Sequence, residues 1–251
     1  DRLPMIRLFS SLRKAQISGE NLSRYVLYAI GEISLIVIGI LIAFSIDNWK
    51  EDRERKDQER KILKELRAGL IADSVDISGN IRTHETTKNA CYLLADILEK
   101  DLPWHDSLKM VFMNSCLNTI FDYSNGAYTT LKAKGMDLVT NDSLRRQINT
   151  YYDQRVAFNI ELQRFSMDQS LSFLDMQRDK IKNFRAYQPA EPWDFEALKK
   201  DRQYRSELTM IGSMREFQEN AFRTLLRHNK RLINGIADEL KRSGAENQAK
   251  K

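Results

Sequence analysis

Between Tyr25 and Ile46 the chain reads YVLYAIGEISLIVIGILIAFSI, twenty-two residues in which Glu32 carries the one charge. About twenty apolar residues are what a helix needs to cross roughly 30 Å of hydrocarbon. The stretch therefore predicts a transmembrane helix over residues 25–46. Tyr25 and Tyr28 at one end and Trp49 at the other are placed for the two water interfaces, where amphipathic rings settle. Arg2, Arg7, Arg13, Lys14 and Arg24 precede the run, as they would in a cleaved leader. The run is longer than a leader's apolar core, however, and passes straight into a helix-forming charged stretch, so a signal anchor is the expected role. Basic residues flank the span on both sides, from Lys50 to Lys61 as well as before it. Orientation then turns on length: a short basic tail is retained while a large domain is translocated largely regardless of its charge. The N-terminus is expected in the cytoplasm and the larger domain beyond the membrane.

Glu32 needs an explanation, because an acid in an apolar span costs a few kcal/mol and is usually paired, protonated or turned toward protein or water. At heptad spacing the stripe through it runs Tyr25, Ala29, Glu32, Ile36, Gly39, Ala43, Ile46. Gly39 and Ala43 form a small-xxx-small pair, which lets helix backbones approach closely in lipid. Ala29, Glu32, Gly39 and Ala43 are thus the candidate packing face. The lipid bilayer, further copies of the chain or other membrane subunits are the expected partners.

Outward from the span, residues 47–61 include KEDRERKDQERK (50–61), with the acid-first i,i+4 pairs Glu51/Arg55, Asp52/Lys56 and Asp57/Lys61. Such pairs support a solvated helix, a stalk that would raise the following domain some 15–20 Å at about 1.5 Å per residue. Apolar periodicity begins at Ile62, Leu63, Leu66 and Leu70 and predicts a helix to about Lys100, stopped by Pro103. A second helix is expected over Ser107–Phe121 and a short one over Tyr128–Lys134, ending on Gly135 as a left-handed cap. Asn141 or Asp142 caps the next. Its stripe, Leu144, Ile148, Tyr151, Phe158, Leu162 and Phe165, continues to about Phe184. A break at Tyr187–Trp193 separates it from a last helix over Tyr204–Lys241. The expected fold is all-α: a basic tail (1–24), the span, the stalk, an antiparallel helical bundle (62–242) and a frayed tail (243–251).

The chain has 251 residues, with 40 Lys and Arg against 35 Asp and Glu, but only ten Gly and four Pro. That leaves too few turn formers for an all-β protein. The net charge of +5 does not imply nucleic acid, because acids and bases are interleaved almost everywhere and cancel the field that phosphates require. Cys91 and Cys116 have no C-x-x-C partner and no histidine at metal-ligand spacing, and read as free buried thiols, with a disulfide between them as the alternative if they face an oxidising compartment. Glu-x-x-His pairs for a di-iron bundle are absent, as are the zinc-protease, P-loop, dinucleotide and nucleophile-elbow motifs. No cofactor and no metal site is expected, and the chain reads as a non-enzyme. Tyr151, Tyr152, Phe158 and Phe165 read as core at helical spacing, with a ligand pocket as the alternative.

Tyr28-Ala29-Ile30-Gly31-Glu32-Ile33, followed by Gly39-Ile40-Leu41-Ile42-Ala43 and Asn48-Trp49, resembles an uncharacterised family of bacterial single-span membrane proteins. A second patch, Tyr128, Leu131, Gly135, Asp137, Leu138, Asn141, Leu144, Arg145, Ile148, Tyr151 and Tyr152, is similar to the same family. The resemblance implies a bacterium with two membranes, an inner-membrane location and a helical C-terminal domain, and implies no activity. The functional expectation is a membrane-anchored bundle acting by assembly, as a homo-oligomer or an accessory subunit. The alternatives are an extracytoplasmic sensor signalling through the stalk, or an ion-conducting oligomer lined by Glu32.

Overall fold

The computed structural model describes residues 22–249 apart from 183 and 186. Residues 1–21 of the basic tail and the side chain of Tyr25 lie outside the described residues. The chain forms two compact units, Asp1–Asp57 and Gln58–Lys251, and the fold is all-α. Helix α1 spans Leu22–Glu99 and contributes to both units. It is followed by α2 (Leu108–Asn114), α3 (Gly126–Lys134) and α4 (Asp142–Asn149), the last continuing through a π-helical segment, Thr150–Val156, into α5 (Ala157–Lys180). A two-residue strand pair, β1 (Ile181–Lys182) with antiparallel β2 (Glu191–Pro192), precedes α6 (Phe195–Lys200) and α7 (Arg202–Ala249). Helix α7 thus runs through Ser243, where the sequence predicts fraying.

Local chemistry sets most of the ends. Helix α1 stops where Asp101 takes a left-handed conformation (φ 55°) and Leu102 N–H donates back to Ile97 O, a Schellman-type end with Pro103 just beyond it. The Asn141 side chain caps α4 by accepting from the N–H groups of Ser143 and Leu144, both at 3.1 Å. Asp194 caps α6 through Ala197 N–H, and Asp201 accepts from Tyr204 N–H in the first turn of α7, each at 2.9 Å.

Three expectations are corrected. The second helix ends at Asn114 rather than Phe121, because side chains take over its backbone groups: Asp73 accepts from Ser124 N–H, Asp76 from Asp122 N–H and Gln163 from Phe121 N–H, while Thr87 donates to Leu117 O. With polar groups satisfied from neighbouring helices, an irregular Ser115–Asn125 segment costs little. Gly135 has a positive φ of 103° with ψ 130°, a glycine conformation but not the left-handed helical one. The fourth helix ends at Lys180, just before β1, rather than at about Phe184, while β2 and α6 occupy the break and the approach to the last helix; Trp193 N–H donates to Lys180 O and ties that hairpin to the end of α5.

In the second unit α7 runs antiparallel to both other long helices. Its links to α1 pair Leu70 with Asn229, Glu85 with Arg223 and Lys88 with Glu219. Those to the α4–α5 rod pair Tyr151 with Asn229, Ser170 with Arg215 and Gln177 with Tyr204. Helix α1 and the α4–α5 rod therefore run parallel, which the long connection through α2 and α3 allows. Two apolar clusters fill the bundle. One gathers Leu63, Leu66, Leu70 and Ile77 with Leu144, Ile148, Phe222 and Ile236; the other gathers Leu94, Leu98, Phe112, Phe173, Tyr204 and Leu208. Leu70 is fully buried whereas Val75, one turn on, is 70% exposed. Leu70→Ala is expected to cost about 2–5 kcal/mol through lost burial and a residual cavity, and Val75→Ala less than about 0.5 kcal/mol. Urea unfolding of the two variants side by side checks this, and equal losses would contradict the packing.

Candidate functional site in the apolar helix and the bundle

By length and composition α1 is long and apolar enough near its start to cross a membrane. Glu32, Gly39 and Ala43 are exposed on it and Ala29 is half-buried. A Cβ added at Gly39 would meet nothing within 4 Å, so the small-residue face is open for another helix. Tyr28 and Trp49 are also exposed, and the Arg53 guanidinium stands 5.6 Å over the Trp49 ring, a cation–π contact. Ser45 donates to Leu41 O one turn back and so presents no free hydroxyl.

In the bundle, the stripe predicted for the fourth helix splits at the π-helical segment. Up to that point the inward positions are Leu144, Ile148 and Tyr151, as expected; then Tyr152 is buried as well, and beyond it Val156, Asn159, Ser166, Phe173 and Gln177. A π turn carries one more residue than an α turn, and each residue advances an α-helix by about 100°. The inward face therefore shifts by one position. Phe158 and Phe165, expected in the core, stand 52% and 69% exposed, and Asn159 and Ser166 are buried in their place. Tertiary partners hold the wide turn. Tyr151 OH accepts from Asn229, Tyr152 stacks on Tyr128 at 4.3 Å, and Tyr128 OH donates to Asp153 at 2.7 Å. Phe165 walls an open groove between α5 and α7 with Leu162, Met210, Met214 and Phe217, and Phe158 meets Phe217 edge-on at 6.5 Å.

The side chains turned inward form a polar layer between the two apolar clusters. Arg215 is 2% exposed, and its guanidinium donates to Gln218 Oε1 at 2.8 Å and Ser170 Oγ at 2.9 Å. Gln218 in turn donates to Ser166 Oγ at 2.7 Å. Among the described residues no carboxylate pairs with Arg215; the nearby Glu219 is held by Lys88 and Arg223, each at 2.7 Å. Burial lowers the Arg215 pKa to about 10. Sequence reasoning missed this layer because its members are scattered over α1, α5 and α7. Cys91 and Cys116 lie beside it as free thiols, pushed up to about 12 by burial, and a thiol so protonated is a poor nucleophile at neutral pH.

His84, 1% exposed, stacks on Phe222 at 5.4 Å, and its Nδ1 finds no partner. Burial first, then the Arg215 charge, lowers its pKa to about 3, against a smaller upward pull from Glu219. The unfolded chain binds a proton at His84 below about 6.5 that the folded chain refuses, so stability present above pH 6.5 is lost as pH falls toward the folded value. The expected loss is about 1.4 kcal/mol per pH unit between roughly pH 6 and 4. Denaturant melts of wild type and His84→Leu across that range measure it as their difference. A difference that stays constant with pH would contradict a buried neutral imidazole.

No curated protein and no solved structure matches the chain. A family model described as a family of unknown function, DUF6090, matches residues 32–183. That stretch opens on Glu32, contains Gly39, Ala43 and the Tyr128–Tyr152 patch, and closes just after β1. Because the match covers more than half of the 251 residues, the chain belongs to this DUF6090 family.

Proposed function

We propose that the protein is a membrane-anchored helical bundle that acts by assembly rather than by catalysis, with the homo-oligomer as the leading form. An accessory role on a larger inner-membrane complex is its close variant. The observation that carries the reading is the face of α1 on which Glu32 stands with Ala29, Gly39 and Ala43, open to a partner helix. In lipid, apolar side chains give no net drive for association, so small residues that admit a close backbone and a polar group that needs a partner select the contact. The lipid bilayer is the first partner. The proposed placement is a bacterial inner membrane, N-terminus in the cytoplasm and bundle in the periplasm.

A ligand-sensing role would call for a polar-lined pocket between long helices. The groove between α5 and α7 is walled chiefly by apolar side chains, and the buried polar groups of α5 and α7 largely bond one another, which favours assembly over sensing.

Gly39→Leu is expected to lower the oligomeric fraction several-fold by forcing backbones apart, read by native mass spectrometry of the chain released gently from its membrane. Glu32→Gln should keep assembly if the carboxyl acts by hydrogen bonding, and Glu32→Ala should weaken it. An oligomer indifferent to all three substitutions would remove this face from consideration. Conductance in reconstituted bilayers that vanishes with Glu32→Ala would move the reading to an ion path.

A further inference from the structure

We infer that the outward apolar stripe of α5, with the facing side of α7, is a self-association surface whose occupant is the same surface of a second copy. The inference rests on the homo-oligomer reading and gives the bundle its own contact. Helix α5 is turned out of phase: alongside Phe173 it buries Asn159, Ser166 and Gln177 while exposing Phe158 and Phe165. The π-helical segment creates that shift, since without its extra residue the phenylalanines would continue the inward stripe of Leu144 and Ile148. Such turns are rare and recur at functional sites.

Area argues for a second copy. Phe158, Phe165 and Phe217 are 52%, 69% and 56% exposed, which at roughly 200 Å² for a Phe side chain is about 350 Å². Met210, Leu162 and Met214 in the same groove bring this to roughly 450–500 Å² per copy, at the upper end for a soluble monomer's largest patch. Two copies together supply roughly 900–1,000 Å² of apolar surface, the share that a standard interface of about 1,600 Å² contains. Charge argues the same way. The rim carries Glu161 and Arg164 as an ion pair at 2.7 Å, so two such faces meet without like-charge repulsion, whereas a face built to lie on anionic lipid is rich in Lys and Arg.

The test uses the full chain in native membranes with Phe165→Cys and a short bifunctional maleimide. The chain carries Cys91→Ala and Cys116→Ala in addition, because Cys116 is only half-buried, so the introduced thiol is the reactive one. The expected product has twice the 29.3 kDa chain mass, and adding Phe217→Glu lowers its yield at least tenfold while the helical circular-dichroism melt stays within a few degrees. Phe158→Cys repeats the measurement should Phe165→Cys express poorly. No cross-link in a chain that native mass spectrometry shows to be oligomeric overturns the inference and leaves the span reading standing. A cross-link to a different protein or an unchanged yield with Phe217→Glu does the same. Loss of the cross-link with Phe217→Glu but an oligomer indifferent to Gly39→Leu keeps the bundle face and sinks the span face, and a monomer throughout sinks both.

Discussion

The one-residue offset at Thr150–Val156 is the constraint on which the second unit's surface and interior both depend. Upstream of it the α4–α5 rod behaves as its periodicity demands, with leucine and isoleucine inward. Downstream, one additional residue in a single turn rotates the helix by roughly 100° and exchanges the apolar face for the polar one. The turn persists because both tyrosines are committed to neighbours: Tyr151 to Asn229, which also donates to Leu70 O, and Tyr152 to the ring of Tyr128.

The offset explains the polar layer as well as the exposed stripe. Ser166 and Ser170 face inward only because the phase has moved, and there they meet Gln218 and Arg215 of α7. A buried guanidinium held by neutral oxygens alone is an expensive arrangement. Its field reaches His84 and reinforces the effect of burial there. Glu219 offsets it only in part, since Lys88 and Arg223 bind that carboxylate.

Much of the architecture was legible in the sequence because it follows from local signals. The apolar run from Tyr25 to Ile46, the stop near Pro103, the Asn141 cap and the start of the final helix each depend on a few neighbouring residues. The misreadings share a different cause. The end of α2 depends on carboxylates of Asp73 and Asp76, some fifty residues away in the chain, accepting backbone N–H groups. The exposure of Phe158 and Phe165 depends on a π turn whose supports lie on α3 and α7, and a constant helical period cannot represent it. The adjacent pair Tyr151-Tyr152 does not mark the turn by itself, since the neighbours Ile62 and Leu63 are both buried in the regular part of α1. On the apolar helix, Ala29, Glu32, Gly39 and Ala43 are candidates by spacing alone, and the last three are exposed. Arg215 and His84 are not legible in this way, because nothing near them in sequence marks them as buried.

The two apolar clusters have no member in common, and the polar layer lies between them. Hydrophobic cooperativity is therefore interrupted along the length of the bundle. The end built on Leu94, Phe112 and Tyr204 is then expected to open without the end built on Leu70, Ile148 and Ile236, as separate foldons do. On that expectation amide exchange in α7 follows two opening free energies, one on either side of Arg215, and a single transition temperature averages over both.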